Sequence, residues 1–356
     1  MESIFFVNGV MNWYKDHKRD LPWRHTNNPY KIWLSEIILQ QTRVKQGLPY
    51  YQRFIEKFPN VQSLAQAEEE EVLRLWQGLG YYSRARNLHA CAQMITKEYE
   101  GTFPTNYEEL LKLKGVGKYT AAAIASFAFK QDVPVVDGNV FRLLSRYFGI
   151  TEDIAIPKSF KSFFELGQKL IPKKEPDIYN QAVMEFGAIQ CTPKNPDCKN
   201  CNLADSCFAN SNQRQEELPV KTKKVKVRDR YFHYFVIKLK DQLIMKKRGR
   251  NDIWQGLYDF FLIEENSFQS PDQWENKNIL SLLAQPEVEL QNESKIYKHL
   301  LTHQRIYAKF FEIEIKDQFV INKQLKSSGL DFFNFNEIKN LPKSILISNY
   351  LDEKVF

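Results

Sequence analysis

Four thiols and two carboxylates carry the chemistry this chain has to offer. The cysteines fall within seventeen residues as Cys191-x6-Cys198-x2-Cys201-x5-Cys207, four of the five in the sequence. Clustered thiolates hold a metal ion or an iron-sulfur centre, and only one of the three gaps is the two-residue gap that paired zinc knuckles use twice. Four sulfurs with no histidine among them are soft ligands, suiting a 4Fe-4S cluster first and a four-cysteine zinc site as the alternative. Buried structural cysteines or disulfides fit less well, because the four crowd one short polar loop. Cys91 stands apart in the helical run Asn87 to Glu98 and reads as core.

Glu36 lies in Trp33-Leu34-Ser35-Glu36-Ile37-Ile38-Leu39-Gln40-Gln41-Thr42, amid apolar residues on a predicted helix. Burial there raises a carboxyl pKa and keeps a proton for donation, although a helical glutamate is more often solvated. Asp137 follows the apolar run Pro134-Val135-Val136 and precedes Gly138-Asn139-Val140. A carboxylate at such a mouth stabilises a developing cation, while Asp-Gly by itself equally signals a turn. Between these acids stands Leu113-Lys114-Gly115-Val116-Gly117-Lys118-Tyr119-Thr120. Two glycines around one apolar residue let backbone N–H groups approach a phosphate at a helix N-terminus, a helix-hairpin-helix grip on DNA through Gly115, Val116, Gly117 and Lys118. For Gly-x-Gly alone an ordinary helix connection is the better reading. Lys114, Lys118 and the downstream cysteines tip it toward nucleic acid.

The elements that must position these groups divide the chain. At 356 residues it accommodates two or three domains without staples, and 50 Lys and Arg against 43 Asp and Glu give a net charge of +7, a mild bias compatible with a polyanionic partner. Met1 to Leu21 fits neither a signal peptide nor a membrane span, so a cytoplasmic, reducing compartment is expected. Apolar residues recur three and four apart in Ile32–Leu39, Val72–Trp76, Leu110–Leu113 and Phe160–Leu170, with turn signals at Phe58-Pro59, Phe103-Pro104 and Ile171-Pro172. Residues 1–209 therefore read as helical, with the cysteine loop at 191–207. Ala209 to Val220 is polar and Lys221 to Arg230 carries six basic residues in ten, an interdomain linker over 210–230. In 231–356, Tyr231–Lys240 and Ile306–Ile315 alternate like half-buried strands of a smaller α+β domain.

In this order, the Leu-Gln-Gln-Thr helix with Glu36, the Gly-Val-Gly hairpin, Val-Asp-Gly-Asn and the cysteine loop resemble the endonuclease-III superfamily of DNA glycosylases, and within it the MutY-type adenine DNA glycosylases. Leu21-Pro22-Trp23-Arg24, Gly78-Leu79-Gly80-Tyr81-Tyr82-Ser83-Arg84-Ala85 and Asn180-Gln181-Ala182-Val183-Met184 extend the resemblance over nearly the whole chain.

The resemblance implies a multidomain protein, an all-α helix-hairpin-helix glycosylase domain with a 4Fe-4S loop followed by a Nudix-like α+β domain. It implies hydrolysis of the N-glycosidic bond of adenine mispaired with 8-oxoguanine or guanine in double-stranded DNA. Glu36 would protonate the base at N7 and Asp137 stabilise or capture the oxocarbenium-like sugar, supported by Tyr119 and Asn139. Leu21, Trp23, Arg24, Val44 and Gln181 would surround the flipped adenine; Gln41, Thr42, Leu79 and Tyr81 would read or wedge beside the opposite base. The family's Phe-Ser-His loop becomes Leu301-Thr302-His303, keeping a hydroxyl at Thr302 and the imidazole of His303 while losing the ring. Trp254-Gln255-Gly256-Leu257-Tyr258-Asp259-Phe260 resembles the family's Nudix-like domain without the Arg-Glu-x-x-Glu-Glu metal core. Strand-cutting relatives carry a lysine nucleophile where this chain has Tyr119, so base excision without efficient lyase activity by a monomer is expected. A strand-cutting glycosylase for oxidised pyrimidines and a non-catalytic iron-sulfur DNA-binding protein are the competing readings.

Overall fold

The computed structural model describes residues 2–222, 226–250, 252–270, 273–317 and 329–356; positions 223–225 of the basic linker lie outside them. Two compact units form, one from Met1–Gln66 with Asn87–Lys223 and the other from Ala67–Arg86 with Lys224–Phe356.

The first unit contains no strand among its described residues. Helix Pro29–Leu39 starts where Pro29 presets the first turn and Asn28 accepts a hydrogen bond from Lys31 N at 3.2 Å. Its side chains from Ile32 to Ile38 are all buried, the polar Ser35 and Glu36 among the apolar ones. It packs on helix Lys118–Phe129, whose Ala121, Ala122, Ala123 and Ala125 let neighbouring backbones approach closely, and helix Pro176–Ile189 lies against the same alanine-rich element. Phe6, Trp13, Tyr147, Phe163 and Phe186 close a second part of the core, each contributing roughly 2–3 kcal/mol by burial.

After Lys130, which ends helix Lys118–Phe129 in the left-handed region at φ 55°, the chain runs extended to Val136. Buried Asn180 holds this stretch: its Oδ1 accepts from Val135 N at 3.0 Å and its Nδ2 donates to Val133 O at 2.9 Å and Ser126 Oγ at 2.8 Å. Asp137 is thereby delivered to the N-cap of helix Gly138–Phe148.

The second unit is built on a mixed sheet of β1 (Arg228–Leu239), β2 (Gln242–Lys247), β3 (Tyr258–Asp259), β4 (Phe261–Glu265), β5 (Val288–Glu293), β6 (Tyr297–Leu300), β7 (Gln304–Ile315) and β8 (Leu330–Asn334). The order β3-β2-β1-β7-β5 is extended by β4 on β1, β6 on β7 and β8 on β2. Only β1 and β7 run parallel, with Tyr231 opposite Tyr307 and Phe235 opposite Phe311. The strands expected from alternation are present, but β1 is not half-buried: Phe232 to Ile237 are buried on both faces. Trp274, Ile279 and Leu282 cover one side with Phe235 and Phe311, and Phe260 and Tyr350 stack around Tyr234 and Phe310 on the other. Segment Ala67–Arg86 joins this unit through polar contacts, Glu70 accepting from Lys247 Nζ at 2.8 Å and Tyr258 OH at 3.0 Å, and Arg86 donating to Gln255 O at 2.8 Å.

Candidate active site

Three helices of the first unit bring the acids together. Glu36 projects from Pro29–Leu39, is 6% exposed, and accepts a hydrogen bond on Oε2 from Tyr119 OH at 2.5 Å. Tyr119 opens helix Lys118–Phe129 directly after the glycine hairpin. Asp137 caps the next helix, its Oδ1 accepting from Asn139 N at 2.9 Å and Val140 N at 2.8 Å and its Oδ2 from Asn139 Nδ2 at 2.8 Å. Glu36, Tyr119, Asp137 and Asn139 all line one cavity of about 530 Å³.

Burial pushes the Glu36 carboxyl up to about 7, and the charge of Asp137 adds to the rise; the Tyr119 hydrogen bond and Arg24 pull it down. Burial also raises Asp137, opposed by the backbone donors of Val140 and Asn139, the Asn139 side chain and Arg142. Tyr119 is raised well above the ordinary phenol range by burial and by both carboxylates, so it remains a donor. The site thus pairs a carboxyl poised to hold a proton near neutrality with one whose charged form three hydrogen-bond donors and the charge of Arg142 favour.

Leu21, Trp23, Arg24, Thr42, Val44 and Gln181 line the same cavity. Trp23 meets Tyr51 edge-on at 5.1 Å, and Gln181 Oε1 accepts from Tyr14 OH at 2.8 Å, which fixes the amide's orientation. Gln41 is not among the lining residues; it sits exposed in the left-handed turn after the helix, at φ 55°.

Glu185, absent from the sequence-derived set, also lines the cavity. Arg19 donates to it through Nε and Nη2, each at 2.7 Å, and Arg24 Nη2 donates to Oε2. Burial would raise this carboxyl, but the two guanidiniums bring it to about 2. With Arg19 N also donating to Oε1 at 3.0 Å, both its oxygens are fully taken, and it serves to fix Arg24 at the cavity. The signal for it was available: like Glu36, it is an acid inside an apolar helical run.

Gly115 adopts φ 74°, and a Cβ there would come within 2.7 Å of Asn87 Cβ; Gly117 has open space on that side. Val116 is buried, while Lys114 and Lys118 are exposed beside it. The hairpin therefore leaves its backbone accessible next to the cavity-lining helix.

Cys191, Cys198, Cys201 and Cys207 line one small cavity between helices Gly138–Phe148 and Pro176–Ile189. Arg146 Nη1 donates to Cys191 Sγ at 3.4 Å and to Thr192 O at 2.7 Å, and Gln215 Nε2 donates to Cys198 Sγ at 3.9 Å. One charged and one neutral donor are thus aimed at sulfur, as suits metal-binding thiolates. Among the described residues no group of three His, Cys, Asp or Glu is already placed to hold a metal ion. Arg142, one turn before Arg146, donates to Cys191 O at 2.7 Å and to Asn139 Oδ1 at 2.9 Å, tying the cysteine loop to the cap of Asp137.

Leu79, Tyr81, Thr302 and His303 lie in the second unit, where they line a cavity of about 460 Å³ with Asp252–Trp254. Tyr81 OH and Thr302 Oγ1 are hydrogen-bonded to each other. Tyr81 reaches this position through a left-handed backbone at φ 49°, between Gly78 and Gly80 at positive φ on one side and helix Ser83–Glu98 on the other. No helix among the described residues is long and apolar enough to cross a membrane.

Comparison with known proteins agrees with this geometry. Residues 34–172 match the HhH-GPD superfamily of base excision DNA repair proteins, and residues 233–353 match the NUDIX domain. An adenine DNA glycosylase of Buchnera aphidicola subsp. Schizaphis graminum is 38% identical over 261 residues, covering 73% of this chain and 75% of the relative. The one from subsp. Baizongia pistaciae is 35% identical over 310 residues, covering 86% and 85%. Among solved structures, a thermostable thymine-DNA glycosylase superposes with a TM-score of 0.55 at 30% identity, over 59% of this chain and 97% of that one. With relatives matched over three quarters of their length or more, and acids, hairpin and cysteines in the expected order, the chain belongs to the adenine DNA glycosylases, the DNA N-glycosylases that remove adenine in base excision repair.

Proposed function

We propose that this glycosylase excises adenine lying opposite 8-oxoguanine or guanine and leaves the strand uncut. The observation that carries the reading is the convergence of Glu36, Tyr119 and Asp137 from three helices on one cavity large enough for a flipped purine. Flipping costs a few kcal/mol of unstacking, offset by the binding of the base among Trp23, Arg24, Gln181 and Glu185.

Adenine leaves poorly as an anion. Glu36 gives its proton to N7 as the bond between the sugar's C1′ and the base nitrogen breaks and the electron pair departs with the base. The sugar becomes oxocarbenium-like, and the carboxylate of Asp137 opposes its charge. Addition of water at C1′ gives the abasic site, and the proton it sheds restores Glu36. Tyr119 holds one oxygen of Glu36, and Asn139 with the helix N-terminus holds Asp137, so both acids are oriented before substrate arrives.

The absence of lyase chemistry follows from position 119, where a phenol stands instead of an amine. Lys118 turns its Nζ over the Phe160 ring at 4.7 Å, and Lys45 stands at the cavity's exposed rim. The opposite base is assigned to Tyr81, Thr302, His303 and Leu79, with Gln41 and Thr42 beside the excision cavity. The phosphate backbone is assigned to Gly115, Val116, Gly117 and Lys118.

The four cysteines would hold a 4Fe-4S cluster; four thiols lining one small cavity, with only one two-residue gap among them, favour it over a four-cysteine zinc site. Such a cluster supplies a rigid, charged fastening for the loop that carries the exposed Lys194 and Lys199 toward phosphates. The protein is read as a monomer, and unpaired cysteines with a DNA substrate support a cytoplasmic, nucleoid-associated setting. The test is a duplex with one adenine opposite 8-oxoguanine, quenched with alkali or at neutral pH. Breakage only after alkali is expected; breakage at neutral pH would favour the strand-cutting reading, and none in either would remove the proposal.

A further inference from the structure

We infer that Arg230 is a positioning residue for reading the base opposite the excised adenine, holding the two loops that wall the Tyr81–Thr302 cavity in register through Asp252 and Gln304. The inference rests on the reading of that cavity proposed above.

Arg230 lies near the start of β1, is 5% exposed, and does not itself line the cavity. Its guanidinium reaches in three directions. Nη1 donates to Asp252 Oδ1 at 2.8 Å and to Gln304 Oε1 at 3.1 Å, Nη2 to Asp252 Oδ2 at 2.9 Å, and Nε to Glu264 Oε1 at 2.8 Å. Asp252 begins one wall of the cavity, Asp252-Ile253-Trp254. Gln304 directly follows His303 on the opposite wall and opens β7. One side chain therefore bonds both to Asp252 in one lining segment and to Gln304, the neighbour of His303 in another.

Arg248 secures the same loop from the other side, donating to Asp252 Oδ2 at 2.6 Å and to Ile253 O at 3.0 Å. Between these anchors Trp254 takes a left-handed backbone, φ 61°, which a loop does not keep without being over-determined.

An ion network in which the guanidinium of Arg230 is buried while the Asp252 and Glu264 side chains stay 38% and 30% exposed adds little net stability to a fold. What a planar guanidinium supplies is fixed angles: paired contacts with two carboxylates, Asp252 and Glu264, whose Oε2 also accepts from Nη2, and a further acceptor in Gln304, a geometry that one ammonium point charge does not reproduce. Telling 8-oxoguanine from guanine turns on one added oxygen and one added N–H. A site reading so small a difference must keep its donors within about 0.5 Å of position. Arg230 sets the spacing between Trp254 and Thr302 on which that depends.

The experiment measures single-turnover excision by the full-length protein on two duplexes, adenine opposite 8-oxoguanine and adenine opposite guanine, for Arg230→Gln, Arg230→Lys and Gln304→Ala. The ratio of the two rates is expected to fall about tenfold in both Arg230 variants and about threefold in Gln304→Ala, through loss opposite 8-oxoguanine with the guanine rate kept. Far-ultraviolet circular dichroism checks folding. If the Arg230 variants do not fold, Gln304→Ala, which removes only the tie to the second wall, decides alone. An unchanged ratio in folded protein, or a parallel fall on both duplexes, overturns the inference. Tyr81→Ala and Thr302→Ala are measured alongside. If they leave the ratio unchanged, the reading of the cavity fails; if they lower it while the Arg230 and Gln304 variants do not, only the role of Arg230 fails.

Discussion

Tyr119 donates its hydroxyl to Oε2 of Glu36 at 2.5 Å, joining residues 83 positions apart. The bond acts against burial. Desolvation drives the Glu36 carboxyl up to about 7, and Tyr119 limits the rise by stabilising the charged form. A carboxyl so balanced holds its proton near neutrality and can still release it, which is what protonating a departing base requires.

Excision should decline as pH rises through about 7, where Glu36 loses its proton. Stability should change in the same window. Folded Glu36 keeps a proton up to about 7 against an ordinary value of 4.5, so the native state binds more protons than the unfolded one between these values and stability falls as pH rises through them. Glu36→Gln removes that dependence and should be the more stable protein above neutrality, by up to roughly 3 kcal/mol, with the difference gone below the lower value. The same substitution should slow excision roughly 10³-fold while leaving duplex affinity intact. Denaturant midpoints across pH and single-turnover rates check both; wild-type rates in Glu36→Gln would remove Glu36 from its role.

Tyr119→Phe deletes a hydrogen bond to the charged form of Glu36 and should move the falling limb of the pH profile upward, with roughly a tenfold loss of rate from the loosened carboxyl. A limb that moves downward would contradict the role given to Tyr119. Tyr119→Lys places an amine in the same cavity and should yield a borohydride-trapped DNA adduct absent from wild type; trapping in wild type that Lys45→Ala abolishes would instead make Lys45 the amine.

The two hairpin glycines should respond differently to alanine. At Gly115 the left-handed backbone and the approach to Asn87 should cost about 1–2 kcal/mol or more of stability. At Gly117, with φ −94° and open space, stability should stay within about 0.5 kcal/mol while DNA affinity falls, because a methyl group stands where a phosphate must approach. Equal melting losses in the two variants would show that the distinction is unfounded.

Metal analysis should find about four iron and four sulfide per chain, with Cys198→Ser losing both and binding DNA more weakly. A stoichiometric zinc ion without iron would select the alternative that the spacing left open. Arg146→Ala, which removes a donor to Cys191 without removing a ligand, should retain iron but release it faster to a chelator.

Much of this was legible in residue types. Alanine and glycine at 115–125 announced a close-packed helix after a tight hairpin, and an acid inside Ile32–Leu39 announced a buried carboxyl. Alternation in 231–240 announced a strand but understated its burial, since alternation reports one face and cannot show that helices cover both. Glu185, Arg142 and Asn180 were passed over because each looks ordinary within its own helix; their importance lies in partners found elsewhere in the chain.

The sequence by itself determined the local requirements: that two glycines around Val116 make a tight hairpin before a helix, that an acid stands among apolar residues in 33–39, that four thiols share one loop, and that residue 119 carries a phenol instead of an amine. These follow from the sterics and polarity of a few neighbouring residues. The tertiary structure alone decided that Glu36 meets Tyr119, that two arginines grip Glu185, that Asn180 delivers Asp137, and that Ala67–Arg86 packs with the C-terminal unit. Those relationships depend on which faces of distant segments come together, a cooperative outcome of packing the whole core that no short window of sequence contains.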